Sequence, residues 1–524
     1  MKNEQILDVL ELELTQHRAF GDSGYIQEQL RVCFERRLGK VSAHMPAAGR
    51  LLDALVSADG DARMGVIGDT VVRCAIQHAL SQLTTGTPYG LPLQECEEIF
   101  RAATAHLDSG GAAGPTGAAL VNRVGPEPHH GRIWSEAYAD DVFSRSLRQV
   151  VRDNYGEFLY APAPDEVAML VKGARLLGEL LPSLSRAALS HVRLVAIFPK
   201  VGKWTGRSSS SQFKIGGTIF LSRAGLPNPW WVAEHLFHES LHHKLYDFRH
   251  GHSLLEPSYA RRDAPRVCAL WNEPSKSHNW DIHRAVAAFH VYVHLAVLAT
   301  VAELRASELE TIYGPMQGGM IRSRKAIERA RYLGEKLQES CWQEIGYAGK
   351  HFMEWLISIL DALDRSPPPR GSCIHLLLDR YQSEARRVEA ILQKASAEGG
   401  AGTYVALPGR MAELVKDEVR VVCDVLSSMN ATNALERFEQ AVAPYLEDGQ
   451  GAAFFQVRRV IHHTMTDLSR DGYTLRGEPS ERAAPDADAM VRRMIESSSD
   501  RLDAILAEYG VNVAALLPVA NMRF

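Results

Sequence analysis

The chain has 524 residues, 46% of them hydrophobic, which is enough for one large domain or two to three ordinary ones around a sizeable core. Its 58 Lys and Arg stand against 63 Asp and Glu, a net charge of −5 with both signs interspersed, so no global field favours nucleic acid. The seven cysteines are widely spaced, odd in number and free of any Cys-x-x-Cys pair, the usage of a reducing cytoplasm.

From the N-terminus, MKNEQILDVLELELTQHRAF is charged and amphipathic without the apolar stretch of a signal peptide. No run approaches the roughly 18 apolar residues of a membrane span, so the expectation is a soluble, cytoplasmic protein that engages no membrane. Helical spacing of apolar residues recurs at 69–83, 168–181 and 284–304. Extended signals are confined to SHVRLVAIFP (190–199) and SSSQFKIGGTIFLS (209–222), both rich in β-branched and aromatic residues. The expected fold is mainly α with a small central β-sheet (α+β), its core built on a zincin-like HEXXH helix. Breaker-rich stretches at 108–119, 364–372, 397–403 and 471–488 divide the chain into a helical N-terminal region (1–107), a central α+β region (120–363) and a helical C-terminal region (373–524).

The central region carries WWVAEHLFHESLHHKLYDF (230–248), a helix in which His238 and His242, four apart, share one face. Two imidazoles one turn apart can grip one metal ion. Glu239 falls beside them, within reach of a metal-bound water. The bland alternative is a pair of polar residues on a buried helix; the preceding strand and short LPNPW loop argue against it, because a strand followed by such a helix is the setting in which these sites work. A third ligand must come from elsewhere. The extended motif needs glycine and histidine at positions 245 and 248, which hold Leu245 and Phe248, and is excluded. Glu256, Glu273 and Asp281 are acidic candidates, Glu273 the one suited to a thermolysin-like peptidase. His283, at the head of DIHRAVAAFHVYVHLAVL, and His290 and His294 further along it are the imidazole candidates.

Taken together, SSSQFKIGGTIFLS, AEHLFHESLHHKLYDF, the segment with Trp271 and DIHRAVAAFHVYV resemble the HEXXH-motif peptide-modification family over residues 190–345. That family comprises iron- and 2-oxoglutarate-dependent β-hydroxylases associated with ribosomally made peptide natural products. The resemblance implies that His238, His242 and His283 ligate Fe(II), with Glu239 a motif residue. Where the family has a W-R…R-P-rich stretch before its later histidine, this chain has WNEPSKSHNWDIH, with Lys276 the nearest basic residue.

In the oxygenase reading, three protein ligands leave iron positions for 2-oxoglutarate and O2, and Glu239 orients rather than deprotonates. The distal carboxylate of 2-oxoglutarate needs a charged clamp, for which Lys276, Arg284, Arg322 and Arg324 are candidates, although 321–337 also fits an ordinary solvated helix. In the peptidase reading, Zn binds His238, His242 and Glu273, and Glu239 is the general base. The strand 211–222 serves either by pairing with substrate backbone, its bland alternative being a plain internal strand. The substrate is a peptide or amino acid, free, leader-bound or carrier-bound. A third class of protein, a scaffold with a vestigial site, is disfavoured by the intact motif. His129 and His130 fall in a loop, and the adjacent His462 and His463 point to different helix faces. The C-terminal region, which carries no recognisable catalytic motif, suits packing or homodimerisation, or docking of a leader peptide.

Overall fold

The computed structural model describes residues 3–508 apart from 112, 126–130, 139, 200, 205–206, 273–278, 317, 365–366, 368–373, 398–406, 447–450 and 471–486. The helices before the sheet are α1 (Asn3–Gln16), α2 (Ser23–Ser42), α3 (Pro46–Ser57), α4 (Gly60–Ile67), α5 (Thr70–Thr85), α6 (Leu93–Asp108), α7 (Val142–Tyr155), α8 (Pro164–Leu180) and α9 (Pro182–Leu189). After it come α10 (Pro229–Gly251), α11 (Ile282–Tyr313), α12 (Ser323–Ser340) and α13 (Tyr347–Leu363), then α14 (Ile374–Ala397), α15 (Leu407–Ser428), α16 (Thr432–Leu446), α17 (Gly451–Arg470) and α18 (Ala487–Glu508). The protein is thus mainly α around a small sheet.

That sheet has four strands, β1 (Arg132–Ile133), β2 (Leu194–Phe198), β3 (Ser209–Gln212) and β4 (Ile215–Ser222), in the order β1-β2-β4-β3. β1, β2 and β4 run parallel and β3 returns antiparallel to β4. The strand expected over 211–222 is therefore a hairpin, with β4 internal and β3 at the edge. A two-stranded ribbon, β5 (Val267–Cys268) with β6 (Asn279–Trp280), stands apart.

Strand alternation divides the interior. Val195, Ile197, Ile219 and Leu221 face a core shared with Leu236, Phe237 and Leu241 of α10. Leu194, Ala196, Phe198 and Phe220 face a second core built with Phe34, Val72, Ile76 and Phe100 from the N-terminal helices. A period of two puts successive side chains on opposite faces, so the sheet is covered by helices on both sides. The register also fixes polar side chains: Ser209 pairs with Leu221 and Ser210 with Phe220, which directs Ser209 towards α10 and Ser210 towards Tyr155 of α7, its hydroxyl 2.9 Å away. Gly216 is needed because a Cβ there would lie 2.6 Å from the Arg73 guanidinium carbon, blocking that side chain's path to α10.

The expectation that no segment reaches spanning length needs correction. α11 is long and apolar enough, yet 89% of its most apolar stretch is buried inside the protein, as befits a core helix. Beyond residue 373, α14 to α18 enclose a separate core of Ile374, Leu378, Val415, Val422, Phe454, Ile461 and Ile495. On α17, His462 is half-buried and His463 exposed, on different faces as their adjacency requires. His129 and His130 lie outside the described residues.

Candidate metal centre

α10 begins with a side-chain cap, Asn228 accepting from the amides of Trp230 and Trp231, and with Pro229 in the first turn, where its missing N–H costs nothing. Every residue from Pro229 to Leu245 is buried, eight polar or charged ones included. Burying so many polar groups is tolerable only where each finds a partner. His243 donates from Nε2 to the Thr218 carbonyl at 2.8 Å and accepts the Gly217 amide at Nδ1, which ties α10 to β4. Lys244 donates to the Gly21 carbonyl at 2.6 Å, and burial pulls its ammonium down to about 7. Asp247 pairs with Arg73 of α5 and with His191, both at 2.8 Å. Glu234 accepts the Ile321 amide ahead of α12. These ties come from four directions and leave α10 no freedom to rotate about its axis.

The face so oriented carries the motif. His238 and His242 bring their Nε2 atoms to 3.2 Å, with the rings at 72°. Burial, reinforced by the neighbouring imidazole, holds His238 well below the ordinary histidine range; burial and then His243 and Arg284 take His242 to about 3. Both rings are therefore held neutral near pH 7, the form in which an imidazole coordinates a metal. Two nitrogens bound to one ion at about 2.1 Å would lie about 3.0 Å apart at an octahedral right angle and about 3.4 Å apart at a tetrahedral one. The observed separation falls between these, so the pair fits a divalent transition metal of either geometry.

Glu239 completes the group: ligand atoms of His238, Glu239 and His242 all lie within 4.8 Å of one another, and no other such group occurs among the described residues. The Ser209 hydroxyl on β3 donates to Glu239 Oε1, a contact set by the hairpin register. Burial raises the Glu239 carboxyl to about 7 against the pull of Ser209 and Ser211. A partly protonated, hydrogen-bonded carboxyl beside the metal face can hold or pass a proton, or orient a bound water.

Beside this group opens a cleft of about 380 Å3, within the range of ligand sites. His242 and Tyr246 of α10 form its floor, and Arg249, Asp281, His283 and Arg284 its walls. His283 is thus brought beside His242 but does not join the metal group: its Nε2 accepts from Arg249 at 3.3 Å, and burial with Arg249 lowers it to about 4. His290 and His294 are buried in the core of α11, with His294 donating to the His290 carbonyl, and neither joins the group.

Arg284 lines the cleft, held over Trp280 at 4.8 Å. Arg322 does not: it is exposed and faces Glu303 at 3.8 Å, and Arg324 pairs with Glu328 and Asp364. Glu273 and Lys276 lie outside the described residues. Sequence reasoning missed Arg249, which sits over Phe213 at 4.4 Å. It was findable, since positions seven and eleven residues beyond His242 and His238 share their helix face. No family model and no curated protein sequence matches the chain.

Proposed function

We propose that the protein is an Fe(II)- and 2-oxoglutarate-dependent oxygenase that hydroxylates an amino-acid β-carbon within a peptide substrate of a natural-product pathway. The observation that carries this reading is the cationic cleft opening on His242. Arg249 and Arg284, half-buried and braced by Phe213 and Trp280, are suited to clamp the distal carboxylate of a small dicarboxylic acid whose other end reaches the histidine pair.

His238 and His242 would hold the iron, which when bound supplies the oxidising chemistry of the reaction. His283, the third donor that the resemblance implies, stands in the same cleft and would have to turn from Arg249 to serve. Glu239, hydrogen-bonded to Ser209, orients water or substrate. Tyr246 keeps its proton, pushed up to about 12 by burial, and so offers a neutral donor to the cleft.

The second reading is a zinc peptidase, favoured by the Glu239 carboxyl lying beside the histidine pair with a value near 7. The two separate in one experiment. Protein reconstituted anaerobically with Fe(II) is exposed to O2 with 2-oxoglutarate, and succinate is quantified. Stoichiometric succinate supports the oxygenase; none with iron, together with peptide cleavage restored by zinc, overturns it.

A further inference from the structure

The cleft carries more positive charge than one small dicarboxylate can use. Beyond Arg249 and Arg284, its outer wall holds Lys214, Arg261 and Arg266, all exposed. Among the described residues lining the cleft, one carboxylate faces these five cations, Asp281, already pairing with Arg261 at 2.5 Å and capping α11 through the Arg284 amide. The chain as a whole is acidic, so this local excess runs against the overall balance. The cations also fall into two tiers. The inner pair is half-buried, whereas the outer three are exposed, Lys214 over the Tyr89 ring at 5.4 Å and Arg261 beside Asp281.

β3 leads into that mouth. It is the edge strand of the sheet, its last residues Ser211 and Gln212 are partly exposed, and Phe213 and Lys214 follow directly as cleft wall. Ser209, at the other end of the same strand, touches Glu239. An extended segment paired with the partly exposed end of β3, Ser211 and Gln212, would therefore run from the cationic mouth towards the buried Ser209–Glu239 contact, with same-side residues about 7 Å apart.

We propose that the outer tier, Lys214, Arg261 and Arg266, recognises an acidic peptide segment, with Asp or Glu at alternate positions on one side of the residue delivered to the histidine pair. The proposal takes from the preceding reading only that this cleft is the substrate entrance. Charge complementarity at such a rim selects partners and speeds encounter.

The test is a binding measurement on metal-free full-length protein, which needs no turnover and so stands or falls apart from the oxygenase assignment. Fluorescently labelled decapeptides with four alternating Asp residues, and the same peptides with Asn, are titrated at low and at 0.5 M salt by anisotropy. The acidic peptide is expected to bind about tenfold tighter at low salt and to lose that advantage at high salt. The double variant K214E/R266E, which changes only exposed side chains and is checked by circular dichroism, is expected to abolish the preference. Equal affinity for the two peptides, or an acid preference that survives the double variant, overturns the proposal. So does a single-stranded oligonucleotide of equal charge that binds as tightly and competes, which would mark the mouth as a general polyanion site.

Discussion

Two regions of this protein bury charged and polar side chains among helices, and they do so in opposite ways. In the C-terminal bundle, Arg458 pairs with Glu418 at 2.7 Å and faces Glu384 at 3.8 Å, Arg380 pairs with Glu384 at 3.0 Å, and Tyr381 and Ser498 both donate to Glu418. Cations meet anions and donors meet acceptors, which is what a structural network does. On α10, by contrast, His238 and His242 turn neutral imidazole nitrogens towards one another with a carboxyl alongside. Two neutral imidazoles so placed can share one N–H···N bond, whereas a cation between them would engage both nitrogens. Burial alone marks neither region as functional; complementarity separates them.

The comparison can be broken at either end. The largest effect is expected from H238A or H242A, which should lower both iron retention and succinate formation by more than about 100-fold, beyond the loss typical of residues behind a metal ligand, while thermal unfolding stays cooperative. Retained metal in both variants would make the pair structural. Next comes R458M, which strands Glu418 in the bundle and should cost about 3–5 kcal/mol in denaturant unfolding without changing metal content. A neutral outcome would mean the bundle network contributes nothing to stability. R249M and R284M should each weaken 2-oxoglutarate binding about 10–100-fold, measured by calorimetry on the iron-loaded protein, with iron content preserved.

The third donor sharpens the same comparison. Iron loss in H283A assigns it to α11, and loss in the glutamate variant E273A favours the peptidase.

The smallest effect concerns Glu234. Burial raises its carboxyl to about 7, against an unfolded value of about 4.3. Between these values the folded protein keeps a proton that the unfolded chain has released. Its contribution to stability is therefore fully present below about pH 4.3 and is lost as pH rises through 7. E234Q retains an oxygen to accept the Ile321 amide and should flatten that decline by something on the order of 1 kcal/mol, read as the unfolding free energy at pH 5 and pH 8. An unchanged slope would place the titration elsewhere.

Much of this architecture was legible in the sequence because it rests on local periodicity. The helical patterns at 69–83, 168–181 and 284–304 fall within α5, α8 and α11 or overrun them by one residue, and the spacing of His238 and His242 sufficed to place both on one face of α10. The hairpin was not legible. Phe213 and Lys214 interrupt two runs of strand-forming residues without the Gly or Asn that usually signals a turn, and the Gly216-Gly217 pair that does stand out serves Arg73 and His243 instead. The cations of the cleft were half legible: Arg284, named among four basic candidates, lines it, whereas Arg322 lies in a helix whose charges form surface ion pairs, and Arg249 was not named. Tertiary proximity of β3, α10 and the ribbon before α11 builds the cleft, and no local pattern encodes that.

The most direct test of the histidine pair is metal stoichiometry under anaerobic reconstitution, with 2-oxoglutarate then added and the visible spectrum recorded. One iron per chain and a weak charge-transfer band, both absent in H242A, are expected. An iron content near zero in the wild type, or equal in wild type and H242A, would contradict the metal centre.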